Sequence, residues 1–74
     1  KLLVLNCQTM NTENILNFIE SMPGKANLRS RSDDVHETEL VFELITKDHF
    51  SSIDELKNLD GVSKVRLLNY SANN

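Results

Sequence analysis

From its first residues the chain alternates between two hydrophobic rhythms. "KLLVLNC" (residues 1–7) is a short, almost wholly apolar run rich in branched side chains, the pattern of a strand covered on both faces. The segment "TENILNFIESM" then places Ile15, Leu16, Ile19 and Met22 on one stripe of an amphipathic helix, with Asn11 or Thr12 as its N-cap. Pro23 cannot continue helical hydrogen bonding and Gly24 tolerates positive φ, so "PGK" ends that helix. "KANLRSRSDDVHETELVFELIT" reads as a hairpin turning about Asp33 and Asp34, its second strand the longer. "SSIDELKNLDG" predicts a second helix: Ser52 and Glu55 have capping-box spacing, Phe50, Ile53, Leu56 and Leu59 mark the buried side, and Gly61 is the stop. In the closing strand, "VSKVRLLNY", Val65, Leu67 and Asn69 share one face and Arg66, Leu68 and Tyr70 the other, before a polar tail.

The order β-α-β-β-α-β predicts an α+β fold of the ferredoxin-like kind, a four-stranded antiparallel sheet with two helices on one face. Right-handed crossovers place the first and third strands at the centre and the second and fourth at the edges. Charge predicts the hairpin register. With Leu28 opposite Leu40, Lys25, Arg29 and Arg31 fall opposite Glu43, Glu39 and Glu37, while Ala26 meets Phe42 and Ser30 meets Thr38. The helices then cover Leu3, Leu5, Leu40, Phe42, Leu44, Val65 and Leu67. Leu2, Val4, Val41, Ile45, Leu68 and Tyr70 are left on the outer face, an apolar surface that predicts self-association or a protein partner there.

Composition narrows the function classes. Seventy-four residues make one domain, 1–74, near the lower size limit for a self-sufficient core. At 39% hydrophobic and 26% charged residues, the chain is too apolar to be disordered and too interrupted to span a membrane. A net charge of -3 gives no attraction to nucleic-acid phosphates or anionic lipid. One cysteine cannot form an internal disulfide, which is compatible with a reducing cytosol. Nothing resembles a signal peptide, and Lys1 runs straight into a strand, so a piece excised from a longer protein is expected.

The candidate chemistry centres on "LNCQTMNTENI" (residues 5–15), where a strand hands over to a helix. Cys7 and Met10 are soft ligands suited to Cu(I), but copper chaperones of this fold carry MxCxxC, and here Met10 replaces the second cysteine. His36 and His49 fall in other loops without metal-ligand spacing, so no metal and no cofactor is expected. No histidine is brought to Cys7, so no nucleophile and no catalytic residue is expected. RNA-recognition domains display aromatics on both central strands; here only Phe42 is available, and no nucleic-acid partner is expected. ACT-type amino-acid sensors are nearer in outline. A small anionic or amino-acid ligand would use backbone donors at Asn11 and Thr12 with Lys25 or Arg29.

Residues 24–72 carry a Gly-Lys-Ala opening, an acidic-apolar "ELVFEL" strand and a closing "GVSKVRLLNY". In these the chain resembles the soluble C-terminal domain of an uncharacterised bacterial multi-spanning membrane protein family. That family's genes accompany polyphosphate-polymerase-like enzymes, and the MgtC family carries a comparable tail. The resemblance implies a non-enzymatic, cytoplasmic, ACT-like regulatory or interaction domain of a bacterial membrane protein, and it transfers no catalytic residue.

Overall fold

The computed structural model describes residues 1–22, 26–45 and 53–68. Strand β1 (Leu2–Gln8) passes through a single 3-10 turn (Thr9–Asn11) into helix α1 (Thr12–Ser21). Strands β2 (Ala26–Asp33) and β3 (Glu37–Leu44) follow, then helix α2 (Ile53–Lys57) and strand β4 (Val62–Leu68). The four strands form one antiparallel sheet in the order β2-β3-β1-β4, so β1 and β3 lie inside and β2 and β4 at the edges. The class is α+β. Lys25, His49, Phe50, Ser52, Asn69 and Tyr70 lie outside the described residues.

Burial of one sheet face explains the packing. Leu3, Leu5 and Cys7 of β1 and Leu40 and Phe42 of β3 form the core with Ile15 and Ile19 of α1 and Leu56 of α2. All belong to one face of the sheet, because Leu3 pairs Phe42 and Leu5 pairs Leu40 in register. Both helices therefore cover the same face. Each fully buried aliphatic side chain here contributes about 1.5–3 kcal/mol of transfer free energy. Leu16, Met22, Ile53 and Leu59, read from the helical stripes, pack against the cluster, and Phe18 joins them.

The edges depart from strict alternation. Between Leu28, opposite Phe42, and Ser30, opposite Val41, Arg29 is an extra residue in β2; between Val62, opposite Cys7, and Lys64, opposite Asn6, Ser63 is an extra residue in β4. The bulge in β4 turns Val62 to the core face, where strict alternation with Arg66 and Leu68 would have faced it outward. The bulge in β2 turns Arg31 and Asp33 to the helix side, opposite Leu40 and Thr38. Insertion is easiest where one strand neighbour is missing, and it also blunts the free edge against pairing with another chain.

The charge-based register does not hold: the pairing differs from it by two residues from Ala26 to Leu28, and the bulge at Arg29 adds a third. Leu28 pairs Phe42 rather than Leu40, Ala26 pairs Leu44 rather than Phe42, and Ser30 pairs Val41 rather than Thr38. Arg29 accordingly meets Glu43, at 3.2 Å, and not Glu39. Arg31 leaves the supposed ladder for Asp33 and Glu13 rather than Glu37. The turn lies two residues later than expected, with Val35 and His36 at its tip: Asp34 N–H donates to Glu37 O at 2.8 Å, and Val35 N–H to the Asp34 carboxylate at 2.7 Å. Both hairpin strands are eight residues long, so β3 is not the longer. Leu67 faces the core side opposite Leu3 yet stays 40% exposed, because it sits on an edge strand. Val4, expected as exposed surface on the outer face, is only 6% exposed; it sits in mid-sheet between Val41 and Arg66.

Candidate functional site

Three connections meet at one end of the sheet. Gln8 N–H donates to Gly61 O at 2.7 Å, and Thr9 N–H donates to His36 O at 3.0 Å, so the loop after β1 is clamped by those before β4 and β3. Gly61 has φ +86, and a Cβ there would come within 2.5 Å of the Asn11 side chain. Only glycine meets both demands. This glycine was expected as the stop of α2, but that helix ends at Lys57, and Gly61 instead shapes the turn into β4 against Asn11.

Beneath the clamp lies a polar corner of the core. Thr12 and Thr38 are buried beside Cys7, whose Sγ is 3.7 Å from Thr12 Oγ1. Thr38 Oγ1 lies 2.8 Å from Asp33 Oδ1 and 3.1 Å from Thr9 Oγ1. Its single proton goes to the charged acceptor, Asp33, while Thr9 donates to Asp34 O at 3.0 Å. Arg31 Nε donates to both oxygens of Asp33, at 3.2 and 3.1 Å, and its Nη1 lies 3.7 Å from Glu13 Oε2. The Thr38 hydroxyl, and after it Arg31, hold the Asp33 carboxyl below the usual range. Burial pushes the Cys7 thiol up from its ordinary value, against the smaller opposing effect of Thr12. The thiol therefore stays protonated at neutral pH; it is buried, whereas Met10 is 86% exposed. Among the described residues no group of three His, Cys, Asp or Glu side chains is placed to hold a metal ion.

Of the expected ligand residues, Lys25 lies outside the described residues, and Arg29 is not brought to Asn11 and Thr12. Asn11 borders a shallow depression of about 400 Å³ with Asn14, Ile15, Asn58, Leu59 and Asp60. Thr12 is buried and its N–H is taken by Thr9 O, so it is no backbone donor for a ligand. Arg29 lies on the opposite side of the sheet with Glu43. The cation that approaches α1 is Arg31, which alternation from Leu28 had placed on the outer face. No signal in the sequence marks the extra residue that reverses it.

The outer face is legible as a grid. Along one row lie Asn27, Glu43, Leu2 and Leu68; along the next Ser30, Val41, Val4 and Arg66; along the third Ser32, Glu39, Asn6 and Lys64. Leu2 and Val41 are half-buried and Leu68 is 41% exposed, and Ile45, 51% exposed, follows β3. Carboxylates thus line β3, apolar groups β1, and cations β4. Among the described residues neither Lys64 nor Arg66 pairs with a carboxylate, and no element lies on this face. No described helix is long and apolar enough to cross a membrane. Set beside known proteins, the chain matches no family model and no curated sequence.

Proposed function

We propose that the chain is a ferredoxin-like domain that works without catalysis, as a regulatory or protein-interaction module whose partner meets the outer sheet face. One observation carries this reading: the face bears Leu2, Val41 and exposed Leu68 beside two cations, Lys64 and Arg66, that no described carboxylate satisfies. The ferredoxin-like arrangement is supported by the interior position of β1 and β3 and by the shared core of both helices. Attachment to the cytoplasmic side of a bacterial membrane protein rests on the resemblance of residues 24–72 alone. A run of about 20 apolar residues encoded upstream of Lys1 tests it.

A second reading, an ACT-like sensor of a small anion or amino acid, is favoured by the depression beside Asn11. A thermal-shift screen with amino acids and inorganic phosphate separates the two, since a ligand of the native state raises the unfolding temperature. The interaction reading predicts no shift with any of them. A saturable rise with one amino acid or with phosphate, abolished by widening the side chain at Asn14 (Asn14→Trp), transfers the function to the depression.

A further inference from the structure

We infer that the occupant of the outer face is a second copy of the same domain, docked about a two-fold axis parallel to β1. This rests on the interaction reading above and names its partner. The columns of the face run acidic on β3 (Glu39, Glu43), apolar on β1 (Leu2, Val4) and basic on β4 (Lys64, Arg66). β3 and β4 are the two neighbours of β1. Rotation by a half-turn about β1 exchanges those neighbours and keeps each residue's height along the strand. β4 of one copy then lies over β3 of the other, and because Lys64 and Glu39 share a row, they come face to face twice. Arg66 comes over Val41, between Glu39 and Glu43. Leu2 and Val4 of both copies meet along the axis, and Leu68 comes over Glu43 in the end row.

The alternative axis for two stacked sheets, perpendicular to the strands, lays each strand over itself. With that axis at the Arg66 row, Arg66 meets its own copy and Glu39 meets Glu43, so like charges oppose it. Arg29 does not disturb the preferred arrangement: it belongs to β2, outside the overlap, and is held by Glu43. Aligned sheets pack about 10 Å apart with their strands crossing at about 30°, which long Lys and Glu side chains span. Three strands spaced about 4.8 Å, with a rise of about 3.4 Å per residue, give a footprint of roughly 350 Å² per copy, under half of the ~800 Å² of a standard interface. The dimer is therefore weak.

Complementary charge reversal tests the arrangement. Lys64→Glu sets two carboxylates together at each of two symmetric contacts, and Glu39→Lys sets two cations together. Mixed one to one, the two variants restore an opposite pair at both contacts of a heterodimer. Sedimentation equilibrium up to about 1 mM reads the result. The expected outcome is a concentration-dependent wild-type dimer, each single variant weakened at least about tenfold, and recovery on mixing. Leu2→Lys, which sets two cations together across the axis, weakens the dimer by a similar or larger factor. A dimer lost in Leu2→Lys, with no recovery in the charge mixture, overturns the β4-over-β3 arrangement and leaves the face as the interaction surface. A wild type monomeric to about 1 mM overturns the second copy as partner, and a dimer unchanged by all three substitutions overturns the use of this face.

Discussion

The interior strands and the edge strands obey different rules. β1 and β3 pair from Leu2 with Glu43 to Gln8 with Glu37 without a break, and every second residue is committed to the core. β2 and β4 each admit one extra residue, Arg29 and Ser63, and each changes which parity faces the helices. An interior strand has ladder hydrogen bonds on both sides, so an inserted residue disrupts two ladders. An edge strand disrupts one, and the inserted residue's polar groups reach solvent or a local partner, as the Ser63 hydroxyl does by donating to Asn6 O at 3.2 Å. Hydrophobic alternation is thus a reliable guide to register where burial enforces it and a poor one at an edge.

The largest effect that sharpens this contrast is in the core. Leu5→Ala on β1 should lose about 2–5 kcal/mol in urea unfolding, whereas Leu67→Ala on β4 should lose about 1 kcal/mol, because much of Leu67 is already solvated. Equal losses at the two sites would remove the distinction between interior and edge. Next comes the loop that leads into β4. Gly61→Ala combines a left-handed backbone with a clash against Asn11 and should cost about 1–3 kcal/mol, part of it recovered when Asn11→Gly removes the obstructing side chain. Full additivity of the two changes would show that the clash is absent.

A smaller effect reports register. Arg29 should couple to Glu43 by about 0.2–1 kcal/mol in a double-mutant cycle and should not couple to Glu39. The smallest effects are in pH. The folded Asp33 carboxyl is held below its ordinary value of 3.8, so its stabilisation is present above that pH and fades as pH falls through the lowered folded value. Asp33→Asn should flatten that acid limb of the urea midpoint. The Cys7 thiol is raised above 9.0, so its contribution is intact below that pH and is lost as pH rises through the folded value; Cys7→Ala should flatten the alkaline limb.

What was legible follows the same division. The strands, both helices, and the buried set Leu3, Leu5, Leu40 and Phe42 follow from periodicity, because a one-residue slip there would expose the core. The hairpin register was not legible. Arg29 and Arg31 lie two apart beside alternate glutamates, and an unbroken ladder of ion pairs accounts for them equally well on paper. Exposed pairs are too weak to select it against one bulge and a buried hydroxyl at Thr38 that needs Asp33. Of the two cations offered for a ligand, Lys25 lies outside the described residues and Arg29 faces Glu43, while the bulge at Arg29 turns Arg31 toward α1. The grid of charges on the outer face was likewise invisible until β1, β3 and β4 were set side by side.

Cross-strand nuclear Overhauser effects along the β2–β3 hairpin test the bulged register most directly. The structure predicts contacts of Leu28 with Phe42, then of Ser30 with Val41 and Arg31 with Leu40, the offset changing by one residue across Arg29. A constant offset, with Leu28 facing Leu40 and Ser30 facing Thr38, would contradict it.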